Sequence, residues 1–282
     1  MNKIQKSHVI PNFIHKWMKK TSYTGNIRTS ENPNKINQGG YKEYMLCSTC
    51  EQLFSKWENY FAEIHFKPCI DEKIINNYDI RLSKFVISIA WRILISFKNN
   101  DKFHKFEFST IQNLNKSEKA WKDYLLSKEE YFNKDIKHNI FLIGENSYEH
   151  PFFNRYVRTS ETTFISNDID GSYFYIKIPY FTMLVFVENY NKNFWGNSEI
   201  KKNGIIDLNQ TIASSMGQLI YEGCETIKNM INQYSDTQYN KIKFKQNNNH
   251  DIENTHAFKM MMKDYHNYGT DSLYKKDLTK KH

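Results

Sequence analysis

Cysteine is scarce in this chain of 282 residues. Cys47, Cys50, Cys69 and Cys224 are the full complement, too few to staple a disulfide scaffold. Long apolar runs are missing too. The most apolar stretch, residues 85–97, is interrupted by Arg92. It falls short of the roughly 20 residues a membrane-spanning helix needs, so it predicts a buried helix and no membrane partner. The opening residues, MNKIQKSHVIPNF, hold no apolar run of signal-peptide length. The expected compartment is therefore the reducing cytoplasm. A Gly-rich phosphate loop, an HExxH helix, a nucleophile elbow and internal repeats are also lacking.

What is present suits a globular α+β protein. Hydrophobic residues make up 39% of the chain and charged residues 25%, which supplies a real core and excludes a disordered chain. The net charge is +8, and a basic surface attracts phosphate backbones by releasing counterions. Residues 1–70 hold ten Lys and Arg against five Asp and Glu, a net of +5. More than half of the excess therefore sits in the first quarter of the chain.

Pro11 suits the start of a helix, where its missing N–H has no partner to lose. Phe13, Ile14, Trp17 and Met18 then recur at helical spacing, with Lys16, Lys19 and Lys20 on the solvent side. Residues 21–40 read as a long polar loop ending in Gly39-Gly40. Residues 41–46 read as a strand, and Leu53, Phe54, Trp57, Tyr60, Phe61 and Ile64 form a helical stripe that Pro68 should stop. Further on, residues 80–98 and 116–131 predict helices, and 139–143 and 171–178 strands. Residues 181–187 fit either, 212–234 predict a helix, and 258–265 a short one. The expected layout is a small N-terminal strand–strand–helix module with a zinc-knuckle-like turn over residues 1–70, a larger mixed α+β domain over 71–245, and a polar, partly helical tail over 246–282. Asp168-Ile169-Asp170-Gly171 has a calcium-loop look but lacks the later Glu, and reads as a turn.

The strongest local signal is Cys47-Ser48-Thr49-Cys50. Two thiolates at a turn entering a helix can hold one tetrahedral zinc, serve as a redox pair, or simply form a turn. His65 and Cys69 offer further zinc ligands by pattern. A continuous helix, however, would carry His65 about 22 Å from the cysteine pair. His8 and His15 are the alternatives.

Ser7-His8-Val9-Ile10-Pro11, Gly39-Gly40 and the run Glu43-Tyr44-Met45-Leu46-Cys47-Ser48-Thr49-Cys50 resemble the HxxP, glycine turn, second strand and knuckle of zinc-bearing HNH endonuclease modules. The opening is similar to that of a group of bacterial proteins, which implies a role in bacterial defence. The resemblance covers roughly residues 5–65. It implies that His8 is the general base beside a catalytic magnesium or manganese, and that Cys47 and Cys50 are half of a structural zinc site. The upstream cysteine pair of that pattern has no counterpart. Ser7 stands where a metal ligand is common, Lys42 falls near the position of the family's Asn, and Glu51 replaces the His after the knuckle as a substitute ligand.

Three functions compete. The first is a metal-dependent nuclease, or a degenerate relative, acting on DNA or RNA. The second is a non-catalytic module whose knuckle and basic helix, with Lys16, Lys19 and Lys20, hold nucleic acid or a protein partner. The third is a small-ligand enzyme or sensor built on the aromatic-rich C-terminal part.

Overall fold

The computed structural model describes residues 3–273 except 38, 74–76, 102, 146, 168 and 211. Its elements run β1 (Ile4–His8), α1 (Asn12–Lys20), β2 (Lys42–Cys47), α2 (Ser48–Phe61), a π-helical turn (Ala62–Phe66), α3 (Lys67–Ile70), β3 (Asn77–Tyr78), α4 (Ile80–Lys98), α5 (Phe108–Leu126), β4 (His138–Leu142) and α6 (Phe153–Val157). There follow β5 (Glu161–Asn167), β6 (Gly171–Ile178), β7 (Phe181–Glu188), α7 (Lys192–Trp195), β8 (Gly204–Ile205), α8 (Ser214–Asn232), α9 (Asp236–Asn247) and α10 (His256–Tyr268). The fold class is mixed α+β, as the sequence predicts. No described helix is long and apolar enough to cross a membrane.

The chain forms two compact units, each assembled from three separate segments: residues 1–11, 41–142 and 160–213, and residues 12–40, 143–159 and 214–282. The expected divisions at 70 and 245 do not coincide with them. The reason is packing: α2 buries Phe54, Trp57, Tyr60 and Phe61 and lies against α4, across the expected boundary. The ring of Phe61 stacks on Phe85 at 4.1 Å. Pro68 does not stop the helix. Its missing N–H falls at the start of α3, and the π turn just upstream widens the backbone where the ring would meet a preceding carbonyl.

In the first unit, α4 begins where Asp79 accepts from the Arg81 N–H, and it is buried for most of its length. It packs with α5 against an antiparallel sheet of order β4-β7-β6-β5. Strand β6 is buried on both faces. Phe174 meets Trp121 of α5 at 5.9 Å, while Tyr173, pointing the other way, meets Trp195 at 5.8 Å. Pro179 closes β6 at its end, and β6 is a central strand. The next residue, Tyr180, takes a left-handed φ of 67° in the tight turn to β7.

The polar groups of this core are linked to one another. The Nδ1 of His138 donates to the Ile136 carbonyl at 2.7 Å, and its Nε2 accepts from the Ser83 hydroxyl at 2.7 Å. Ser83 in turn lies 2.8 Å from the Tyr124 hydroxyl. Burial holds the imidazole pKa down to about 4 and pushes the Tyr124 phenol up to about 12.

The second unit is helical. Asp264 of α10, with no exposed surface, accepts from the N–H groups of Asn154 and Arg155 at the start of α6, and from both their side chains. Tyr156 of α6 packs on Gly223 of α8 so closely that an added Cβ would lie 2.1 Å from its ring. Arg158 donates to the Met18 carbonyl and to Thr21 at the end of α1. Thus α1 folds with the second unit, and β1 and β2 with the first.

The His138 shift predicts an acid-sensitive core. The unfolded histidine takes its proton near pH 6.5 and the folded one only near 4. Stability is therefore full above 6.5 and falls as pH drops between those values, by about 3 kcal/mol at most. Thermal melts from pH 7 to 4 should show this slope, and His138→Gln should reduce it, leaving the part due to the other imidazoles whose pKa burial holds low, His256 among them. Gly223→Ala should lower the melting temperature at every pH, because the buried Tyr156 ring has no room to move.

Candidate nucleic-acid interface

Strands β1 and β2 pair antiparallel, with Ile4 opposite Cys47, Lys6 opposite Tyr44, Ser7 opposite Glu43 and His8 opposite Lys42. A shift in register at Gln5 and Lys6 leaves Met45 as the extra residue of a bulge. Helix α2 follows directly. The expected order of strand, strand and helix is therefore present, with His8 at the end of β1.

Side chains alternate across this hairpin, and the alternation separates its charges. Ser7 points inward, 2% exposed, and its hydroxyl donates to Glu51 in the first turn of α2. Its partner Glu43 faces the same way and accepts from Ser96 and Asn99, both at 3.0 Å, and from Tyr41. Burial alone would raise the Glu43 carboxyl, but these donors hold its pKa below the usual range. Lys6, Lys42 and Tyr44 lie on the other face and are exposed, with His8 half-buried beside them. Glu43 is the only acidic residue in either strand, and it is turned away from this face.

The expected metal positions do not converge. Ser7 meets Glu51. Glu58, one turn and more along α2, pairs with Arg92 of α4 at 2.7 Å. Cys47 is the N-cap of α2 and Cys50 lies in its first turn. A helix start favours thiolate, yet burial pushes the Cys50 thiol up, and the Cys47 sulfur beside it adds to this. His65 is buried beside Tyr60, 3.4 Å from its hydroxyl, and the helix runs unbroken from Cys50 past it, so the separation of about 22 Å stands. Cys69 is buried and its thiol is pushed up to about 12. His8 lies four residues along β1 from Ile4, the partner of Cys47, about 13 Å. His15 belongs to the second unit, against Gly40. Among the described residues, no three His, Cys, Asp or Glu side chains form a group able to hold a metal ion.

Lys16, Lys19 and Lys20 are all exposed on α1, at spacings that share one face. They belong to the second unit, whereas the strands they adjoin in sequence belong to the first. Asp168 and the Lys-rich end lie outside the described residues, and Met260 is buried within α10.

The residue that sequence reasoning passed over is Arg92. Its side chain is 3% exposed. Besides Glu58 it donates to the His8 carbonyl at 3.1 Å and to the Ser88 carbonyl at 3.1 Å. It fixes the end of β1, and with it the placement of His8. The exposed face of Lys6, Lys42 and Tyr44 was also missed, although its period of two around Glu43 is written in the sequence. No protein-family model, curated protein or solved structure matches this chain.

Two outcomes follow. Arg92→Ala strands the Glu58 carboxylate and should cost about 3–5 kcal/mol in denaturant unfolding. Cys47→Ala with Cys50→Ala should cost only about 1–2 kcal/mol, and a strong chelator should leave the wild-type melting temperature unchanged. A chelator-sensitive melt that the double variant abolishes would mean that the pair anchors zinc.

Proposed function

We propose that the protein binds nucleic acid through the solvent face of the β1–β2 hairpin, as a non-hydrolysing relative of the HNH-type module its sequence resembles. The observation that carries this reading is the segregation of charge. Lys6, Lys42 and Tyr44 are exposed on one face, and Glu43 is held on the other by Tyr41, Ser96 and Asn99. Lysines at this spacing neutralise backbone phosphates without reading bases. An exposed tyrosine between them gives an unpaired base a ring to stack on. Single-stranded DNA or RNA is therefore the favoured partner.

Hydrolysis needs a metal beside His8, and the ligands that would supply it are engaged elsewhere. Glu51 takes the Ser7 hydroxyl and Glu58 takes Arg92. Lys16, Lys19 and Lys20 are a second basic patch, on α1, that sequence-independent binding would also use.

Binding of a labelled single strand at several salt concentrations tests the proposal. Lys6→Ala with Lys42→Ala should reduce the slope of log affinity against log salt by about 1.4, at roughly 0.7 per phosphate contact on a single strand. Tyr44→Ala should weaken binding by about 1–3 kcal/mol. The Lys16→Ala, Lys19→Ala and Lys20→Ala triple variant measures the α1 patch separately. Unchanged affinity and slope in the hairpin variants would exclude this face. Plasmid cleavage with magnesium or manganese, lost in His8→Ala, would replace the binding reading with the nuclease one.

A further inference from the structure

The second unit contains a cavity of about 580 Å³, within the range of about 300–1,000 Å³ typical of small-molecule sites. Its lining comes from all three segments of that unit. Arg28, Arg155, Arg158 and Lys243 contribute cations, and among the described residues no Asp or Glu lines it. Arg155 is already neutralised by Asp264 at 2.7 Å. Arg28 is in a different position. Its Nε is buried with no hydrogen-bond partner, and its Nη2 reaches only the neutral Gln238 amide, at 3.4 Å. A covered guanidinium N–H without an acceptor carries a desolvation cost that a bound anion would remove. An adjoining hollow shares Arg28 and is lined by Lys241 and Lys245, again with no carboxylate among the described residues. Burial, with a smaller contribution from the charges of Arg158 and Lys259, holds the His256 imidazole of α10 down to about 3.

The rest of the lining indicates what the anion is attached to. Tyr23, Tyr234 and Tyr239 present rings, with Arg28 5.8 Å from the centre of the Tyr234 ring. Met230, Met261 and Ile227 supply adaptable apolar surface. Gln246 and Asn247 also line the cavity, and a carboxamide matches the paired donor and acceptor of an adenine edge. An aliphatic anion would use the apolar wall but neither the rings nor the amides. Several cations against no carboxylate suit a phosphate dianion better than a single carboxylate.

We infer that this cavity binds a nucleotide-class ligand, with its phosphate on Arg28 and its base among the tyrosine rings and the Gln246 and Asn247 amides.

Calorimetric titration of the full chain with AMP, adenosine, inorganic phosphate and oleate tests this. AMP should bind and raise the melting temperature, and adenosine should bind at least about tenfold more weakly for want of the charge-assisted hydrogen bonds. Arg28→Gln should weaken AMP by about tenfold or more and leave adenosine unchanged. Met230→Trp, which fills the cavity without touching the cations, should abolish both and covers the case in which Arg28→Gln does not fold. Lys6→Ala with Lys42→Ala should leave AMP binding intact, which keeps this site distinct from the hairpin face. Equal affinity for AMP and adenosine would remove the phosphate role of Arg28. Binding of oleate but not AMP would overturn the nucleotide class, and binding of neither would overturn the site. AMP binding that survives both cavity variants would place the ligand elsewhere.

Discussion

The guanidinium of Arg92 is the constraint on which the first unit depends. A cation this deeply covered is tolerated only when acceptors surround it. Here they come from α2, from the last residue of β1 and from its own helix, while the Phe54 ring lies 5.6 Å away. Its Nη2 is buried without an acceptor among the described residues, so moving any one of these elements would strip a buried charge of one of the few bonds it has. The apolar contacts between α2 and α4 supply most of the burial, but they would accept small slides. The directional bonds of Arg92 do not, so they fix how the hairpin sits on the helices and which of its faces meets water.

The same logic recurs where polar groups are buried. Ser83, Tyr124 and His138 each satisfy the next, and the amine of Lys84 donates to the Tyr124 carbonyl and to Ser127 at 2.9 Å, with its own pKa drawn down to about 8 by burial. A serine beside a histidine invites a catalytic reading. Neither has exposed surface, and the chain of donors ends on the Ile136 carbonyl, so the group specifies the core.

The sequence made legible those elements whose pattern is their own. Residues 80–98 are apolar enough to be α4 whatever surrounds them, and residues 171–178 alternate as β6 must. Residues 181–187 fitted helix or strand until β6 and β4 flanked them as hydrogen-bonding partners. Among the elements missed, two show how neighbours make them. Strand β5, ETTFISN, is a polar edge strand held by β6 alone. Helix α9 is Lys- and Asn-rich and buries only Tyr239; its start is set by Ser235 accepting from Gln238. The candidate site divides likewise. The order of strand, strand and helix followed from local spacing. The engagement of Glu51 by Ser7, the role of Arg92 and the cavity around Arg28 join residues tens to hundreds of positions apart, which no local pattern encodes.

Each unit is built from three segments, so the chain passes between them five times. The insertion between β1 and β2 belongs to one unit while both strands belong to the other. No single cut in the sequence therefore separates one unit cleanly from the other, and neither can be shuffled between genes as a cassette. On the ribosome, the first unit is fully synthesised once residue 213 has emerged, whereas the second waits for α8, α9 and α10. Its two earlier segments, which bring Arg28 and Arg158 to the cavity, must remain uncommitted until then. A truncation or frameshift late in the chain would thus spare every residue of the first unit while depriving the second of most of its helices.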